Sequence, residues 1–108
     1  MEARELPTYD ICGTMFYVDL GNEEFRQVGN EGNRIFFAAL AYHKSGYTLL
    51  FDRQTNNAWS GAKGKLPAHV ASILIPFKAK LDPVGLARQQ GFPDDFYTRE
   101  IEGVKRDK

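Results

Sequence analysis

The sequence predicts an α+β fold, a curled antiparallel sheet of about five to seven short strands followed by one or two C-terminal helices. Three observations carry this. In residues 47–59, YTLLFDRQTNNAW, the side chains of Tyr47, Leu49 and Phe51 fall on one face of an extended chain and those of Thr48, Leu50 and Asp52 on the other. The apolar pattern stops at Asp52 and resumes at Ala58 and Trp59, across a polar stretch in which Asn tolerates the left-handed backbone of a hairpin loop. Strand-like segments dominate up to Phe77, helix signals gather after Asp82, and alternating β-α-β units are absent, which argues against a parallel nucleotide-binding sheet.

In chain order, residues 1–7 are charged and punctuated by Pro7, so they are expected to be a mobile arm, as are residues 105–108. Tyr9 and Ile11 alternate with Asp10 and Cys12 in a short strand ending at Gly13. Residues 14–20 and 23–28 read as strands joined at Gly21-Asn22, with Phe16, Val18 and Leu20 on the core face. Residues 29–33, GNEGN, form a loop.

Residues 34–44 are ambiguous because the apolar run 35–42 is continuous. A helix would use Asn33 as N-cap and end before Gly46. The strand reading is preferred: Ile35, Phe36 and Phe37 are strong strand formers, and residues 47–52 want a hairpin partner on the edge that Trp59 does not use. Apolar on both faces, the segment is expected to be buried on both.

Residues 60–65, SGAKGK, read as a flexible basic loop, and residues 70–77 as a buried strand in which Pro76 marks an end or an edge. Asp82 as N-cap, Pro83 at the first helical position and Gly91 just past the end frame a helix, weakened by Gly85, that would turn Leu81, Val84 and Ala87 to the sheet. A second helix is expected from Pro93, with Asp94 and Asp95 in its first turn and Tyr97, Ile101 and Val104 as its apolar stripe.

Length and composition fit one domain spanning residues 1–108: 43% of the residues are apolar and 13% aromatic, enough to build a core without a metal or disulfide. The formal charge is zero but unevenly spread, with seven acids and two bases in residues 1–33 against one acid and seven bases in residues 34–80. Cys12 is the single cysteine, and neither a signal-type apolar stretch nor a membrane-length apolar run occurs, so a cytoplasmic protein with no membrane association is expected.

Motifs for chemistry fail when tested. Gly64-Lys65 resembles the centre of a phosphate-binding loop, but Trp59 stands where that motif needs glycine and Leu66 where it needs a hydroxyl. Cys12, His43 and His69 are too widely spaced to nucleate a zinc site, and Cys12 between Ile11 and Gly13 reads as a small buried hydrophobe. The carboxylate pairs Glu23-Glu24 and Asp94-Asp95 have ordinary places beside a turn and at a helix start. No catalytic residue, metal or cofactor is therefore expected.

The remaining signal is seven bases, Arg34, Lys44, Arg53, Lys63, Lys65, Lys78 and Lys80, interleaved with Phe36, Phe37, Tyr42, Tyr47, Phe51, Trp59 and Phe77. The functional expectation is a non-catalytic binding module that docks a protein partner through an exposed sheet edge or the loop 59–65, using Trp59, Lys63, Lys65 and neighbouring Arg53. The alternative is single-stranded nucleic-acid binding, with bases stacked on the aromatics and phosphates on the bases. A homodimer through a free strand edge is compatible with either.

Overall fold

The computed structural model describes residues 4–61 and 64–99. Its strands pair into two open antiparallel sheets of four strands each, and the α-helices follow, as the α+β expectation requires. Among the described residues the strands number eight and are divided between two sheets instead of forming one curled sheet.

Sheet A is a meander of β1 (Thr8–Ile11), β2 (Thr14–Asp19), β3 (Glu24–Gln27) and β4 (Arg34–Phe36). Ile11 pairs with Thr14, so Cys12 and Gly13 alone make the first turn, at φ 53° and 89°. Two consecutive positive φ values match the right-handed twist of the flanking strands. Cys12 is consequently exposed at a hairpin tip, which overturns the expectation of a buried thiol in a strand. Alternation turns Ile11, Phe16, Val18, Phe25 and Ile35 inward, all buried, while Tyr17, Arg26 and Arg34 line the other face.

Sheet B is built on β6 (Gly46–Asp52), which pairs along one edge with β8 (Val70–Ile75). On its other edge β5 (Ala41–His43) and β7 (Asn57–Ala58) follow one another, β5 on the first half of β6 and β7 on the second. Residues 34–44 are thus strand in part: β4 belongs to sheet A, β5 to sheet B, and a 3-10 turn over Phe37–Ala39 carries the chain between them. The hairpin partner of β6 shares an edge with β7 and Trp59, contrary to expectation, because β8 occupies the opposite edge. Burial on both faces also fails, since Phe36 is 55% and Tyr42 78% exposed and only Ile35 of the run is buried. A continuous apolar run here means two short strands, of which β4 turns Ile35 inward and β5 is exposed at all three positions.

The inward faces pack into one core. Phe16 of sheet A meets Phe51 of sheet B edge to face, with ring centroids 6.2 Å apart, and Leu49, Ile75 and Leu81 complete the cluster. Each fully buried side chain of this kind contributes about 1.5–3 kcal/mol relative to an exposed one. At one corner the sheets are stitched by amides. Asn57 donates to Asn33 Oδ1 and to the Arg34 carbonyl at 2.7 and 2.9 Å, and Asn33 donates to the Asn56 carbonyl at 2.7 Å.

Pro76 ends β8, and the chain enters α1 (Lys78–Leu81) and then α2 (Pro83–Gln89). The buried Asp82 side chain accepts from Gly85 N at 3.0 Å, the cap read from the sequence, and also pairs with Arg4. A Cβ on residue 85 would sit 2.1 Å from Asp82 Oδ2, so the glycine that weakens the helix by propensity makes room for its cap. Leu81 is buried in the core cluster as expected and Leu86 packs against that cluster, while Ala87 is buried and Val84 partly buried. A further helical turn at 96–99 reaches the limit of the described residues, beyond which Ile101, Val104 and 105–108 lie. At the other end, residues 1–3 are outside the description, while the Pro7 carbonyl accepts from Val18 N at 2.8 Å.

Candidate functional site

Trp59 extends β7: its N–H donates to the Leu50 carbonyl at 2.8 Å, so it lies opposite Leu50 on the face of sheet B turned away from the core. That outer face is ordered by register. One row across the sheet is Leu74, Thr48 and Ala41; the next is Ser72, Leu50 and Trp59. Neither row contains a charged side chain, and Leu50 and Leu74 are 36% and 48% exposed. Short side chains beside a large one leave a trough of about 530 Å³, lined by Ala39, Ala41, Thr48, Leu50, Ala58 and Trp59. Gly61 lies against the indole and helps set its position.

The other residues selected from the sequence are not gathered there. Arg53 sits in the β6–β7 turn, where its guanidinium bonds the carbonyls of Ala68 and His69 and ties the turn to the start of β8. Lys65 is exposed in the connection from β7 to β8, and Lys63 lies outside the described residues. Leu50, Leu74 and Ala41 were missed. The sequence signal for Leu50 and Leu74 is a leucine at positions where a half-solvated strand would carry a polar residue.

The interleaved aromatics and bases sort by burial. Phe51 is core; Phe37 and Tyr47 pack against the core; Phe36 is exposed on the outer side of sheet A. At the Tyr47 end of β6, Tyr42 and Tyr47 face each other across the β5–β6 pair and both meet Phe77, with centroids 5.9 and 5.3 Å from its ring. Lys78 Nζ lies 5.5 Å from the Phe37 ring, and a cleft of about 220 Å³ opens between Phe37, Leu40, Tyr42, Tyr47, Lys78 and Leu81. Lys44, in the β5–β6 turn, and Lys80, in α1, belong to the same end of the molecule.

Among the described residues the histidines and the cysteine stand apart from one another. His43 and His69 lie at opposite ends of β6, roughly 20 Å apart by strand rise. Cys12 is at the β1–β2 hairpin tip, and no cluster of three metal-ligating side chains occurs among the described residues. Glu23 is exposed, whereas adjacent Glu24 is buried and shares the Arg26 guanidinium with Asp19, at 2.9 and 2.6 Å. Burial alone would raise the Asp19 carboxyl, but the hydrogen bonds from Arg26 and Asn22 outweigh it and hold the group below its ordinary value. Asp94 is lowered by the hydrogen bonds it accepts from Arg88, at 2.9 and 2.8 Å.

No protein-family model, curated protein or solved structure matches this chain. No helix among the described residues is long and apolar enough to cross a membrane.

Proposed function

We propose that this protein is a binding module without catalytic activity that docks a protein partner on the outer face of sheet B, seating an apolar side chain beside Trp59. The observation that carries the reading is the pair of uncharged rows around Leu50 with the trough that opens at their Ala41 and Trp59 ends. Interface cores are depleted in charge and anchored by aromatic side chains, and exposed leucines next to a tryptophan gain most from being covered. Lys65 supplies charge at the rim, which orients a partner more than it tightens binding. The exposed Cys12 thiol suits a reducing, cytoplasmic setting.

The test is the affinity of a partner recovered from the native extract. Trp59→Ala and Leu50→Ser are expected to weaken it by about 30-fold, the scale of an interface hot spot, and Tyr17→Ala on sheet A to leave it unchanged. Unchanged affinity for both sheet B variants would overturn the reading.

Single-stranded nucleic-acid binding is favoured by a different observation, the 78% exposed Tyr42 beside Phe77, with Lys44, Lys78 and Lys80 at the same end. Anisotropy of a labelled oligonucleotide is the assay, because Trp59 sits on the opposite face of the sheet. Saturable binding that weakens steeply with salt and is lost in Tyr42→Ala is the expected result; no binding at low salt refutes it.

A further inference from the structure

The open edges of the two sheets differ in how they are protected. In sheet A the edge strands carry Asp10 and Arg34, and β5 in sheet B is only three residues long. The edge of β8 has neither device: over Val70–Ile75 it reads VASILI, with no charged residue, and among the described strands only β6 pairs with it. Charge, brevity, bulges and proline are the usual means of keeping an edge from pairing with another chain, and β8 has only Pro76 just beyond its end.

The direction of its free backbone groups follows from one bond. Arg53 N donates to the His69 carbonyl at 2.8 Å, so 53 and 69 form a hydrogen-bonded pair. Such pairs alternate along an antiparallel ladder, so Ala71, Ile73 and Ile75 aim their N–H and C=O groups at β6. Val70, Ser72 and Leu74 aim theirs outward; Val70 N is used locally by the Pro67 carbonyl at 3.1 Å, leaving the Ser72 and Leu74 N–H groups on the open edge. Pro76 has the same parity, so the N–H it lacks is also an outward one, which is where an edge strand tolerates proline.

We propose that this edge is a self-association surface, on which two copies pair their β8 strands antiparallel about a two-fold axis and join their B sheets into one. The inference shares with the reading above only the premise that sheet B is an interaction surface. A two-fold axis normal to the sheet keeps inner residues opposite inner ones, so the admissible registers centre on Ser72 or on Ile73. In both, the outward N–H groups of Ser72 and Leu74 in each copy face outward carbonyls of the other. Symmetry also explains the missing charge. On the two-fold axis a side chain meets its own copy and its neighbours meet the symmetry-related ones a few residues away, so a charge at the centre of this strand, at Ser72 or Ile73, would oppose itself, and the strand carries none. Charges flank the strand, at Lys80 beyond one end and at Arg53, beside His69, at the other.

Sedimentation velocity over a concentration series up to about 1 mM reads the association directly. A reversible dimer is expected in the wild type. Leu74→Lys, which adds a charge at a half-exposed position, and Ser72→Pro, which removes an outward N–H, should each raise its dissociation constant by at least about tenfold with the fold kept by circular dichroism. Trp59→Ala should leave it unchanged, which separates this proposal from partner docking at the trough. A wild type that stays monomeric overturns the proposal, as does a dimer that survives Leu74→Lys; the latter variant decides the matter if Ser72→Pro does not fold.

Discussion

At Asp19 burial and hydrogen bonding pull in opposite directions. The carboxylate is nearly buried, yet Arg26 at 2.6 Å and Asn22 at 2.8 and 3.0 Å hold it in the charged form. Its folded pKa lies below the unfolded one, so its contribution is complete above about pH 4 and is lost as the pH falls through the lower, folded value. Asp19→Asn should lower stability at neutral pH by about 2 kcal/mol and flatten the acid limb of a plot of Tm against pH. Gly85 is a second residue whose worth depends on one neighbour. Glycine to alanine inside a helix normally stabilises by up to about 1 kcal/mol, but here the new Cβ displaces the Asp82 cap, which is worth about as much. Gly85→Ala should therefore be neutral or destabilising alone and become stabilising in an Asp82→Ala background, as a double-mutant cycle by chemical denaturation would read.

Among the elements, β6 is the organising strand, paired along one edge by β8 and along the other by β5 and β7. Its start depends on Gly46, at φ 153°, where a Cβ would stand 2.3 Å from the Ile75 carbonyl oxygen. Alternation along it separates stability from binding. Phe51→Ala should cost about 3–5 kcal/mol, because it opens a cavity against Phe16, whereas Leu50→Ser on the other side should cost under about 1 kcal/mol and act on partner affinity. Comparable losses of stability for the two would contradict the assigned faces. This hairpin and its faces were legible from YTLLFDRQTNNAW, as was α2 from Asp82-Pro83 and Gly91, since both rest on local backbone chemistry. Residues 34–44 were not, because a run apolar at every position has no period to read, and its break at Phe37–Ala39 is set by which sheet each half joins.

For the molecule as a whole, the two sheets share one core. The cluster that includes Phe16, Phe25, Leu49 and Phe51 crosses between them, and the Asn33, Asn56 and Asn57 bonds close one corner. Unfolding followed by Trp59 emission, which reports on sheet B, should therefore coincide with far-ultraviolet circular dichroism, which reports on both sheets. Separate midpoints would mean that the sheets fold independently. At this scale the central excess of bases also divides: Arg34 joins the ion pairs on sheet A, Arg53 ties a turn, Lys78 lines the cleft with Tyr42, and Lys80 lines another beside Phe77.

The amino-acid sequence by itself determined the local geometry: strand faces set by period-two alternation, turns at glycine and asparagine, the capped helix and the α+β order. Those features follow from interactions within a few residues of the chain. Only the tertiary structure decided that the strands form two sheets, that β5 and β7 share an edge of β6, that Cys12 lies at an exposed turn and that the edge of β8 is left open. The Cys12 turn depends on the register of β1 on β2, while the division into two sheets, the shared edge of β6 and the open edge of β8 depend on which distant strand claims a given edge. The backbone donors and acceptors along that edge are the same whatever the sequence, so pairing is chosen by packing across the whole core.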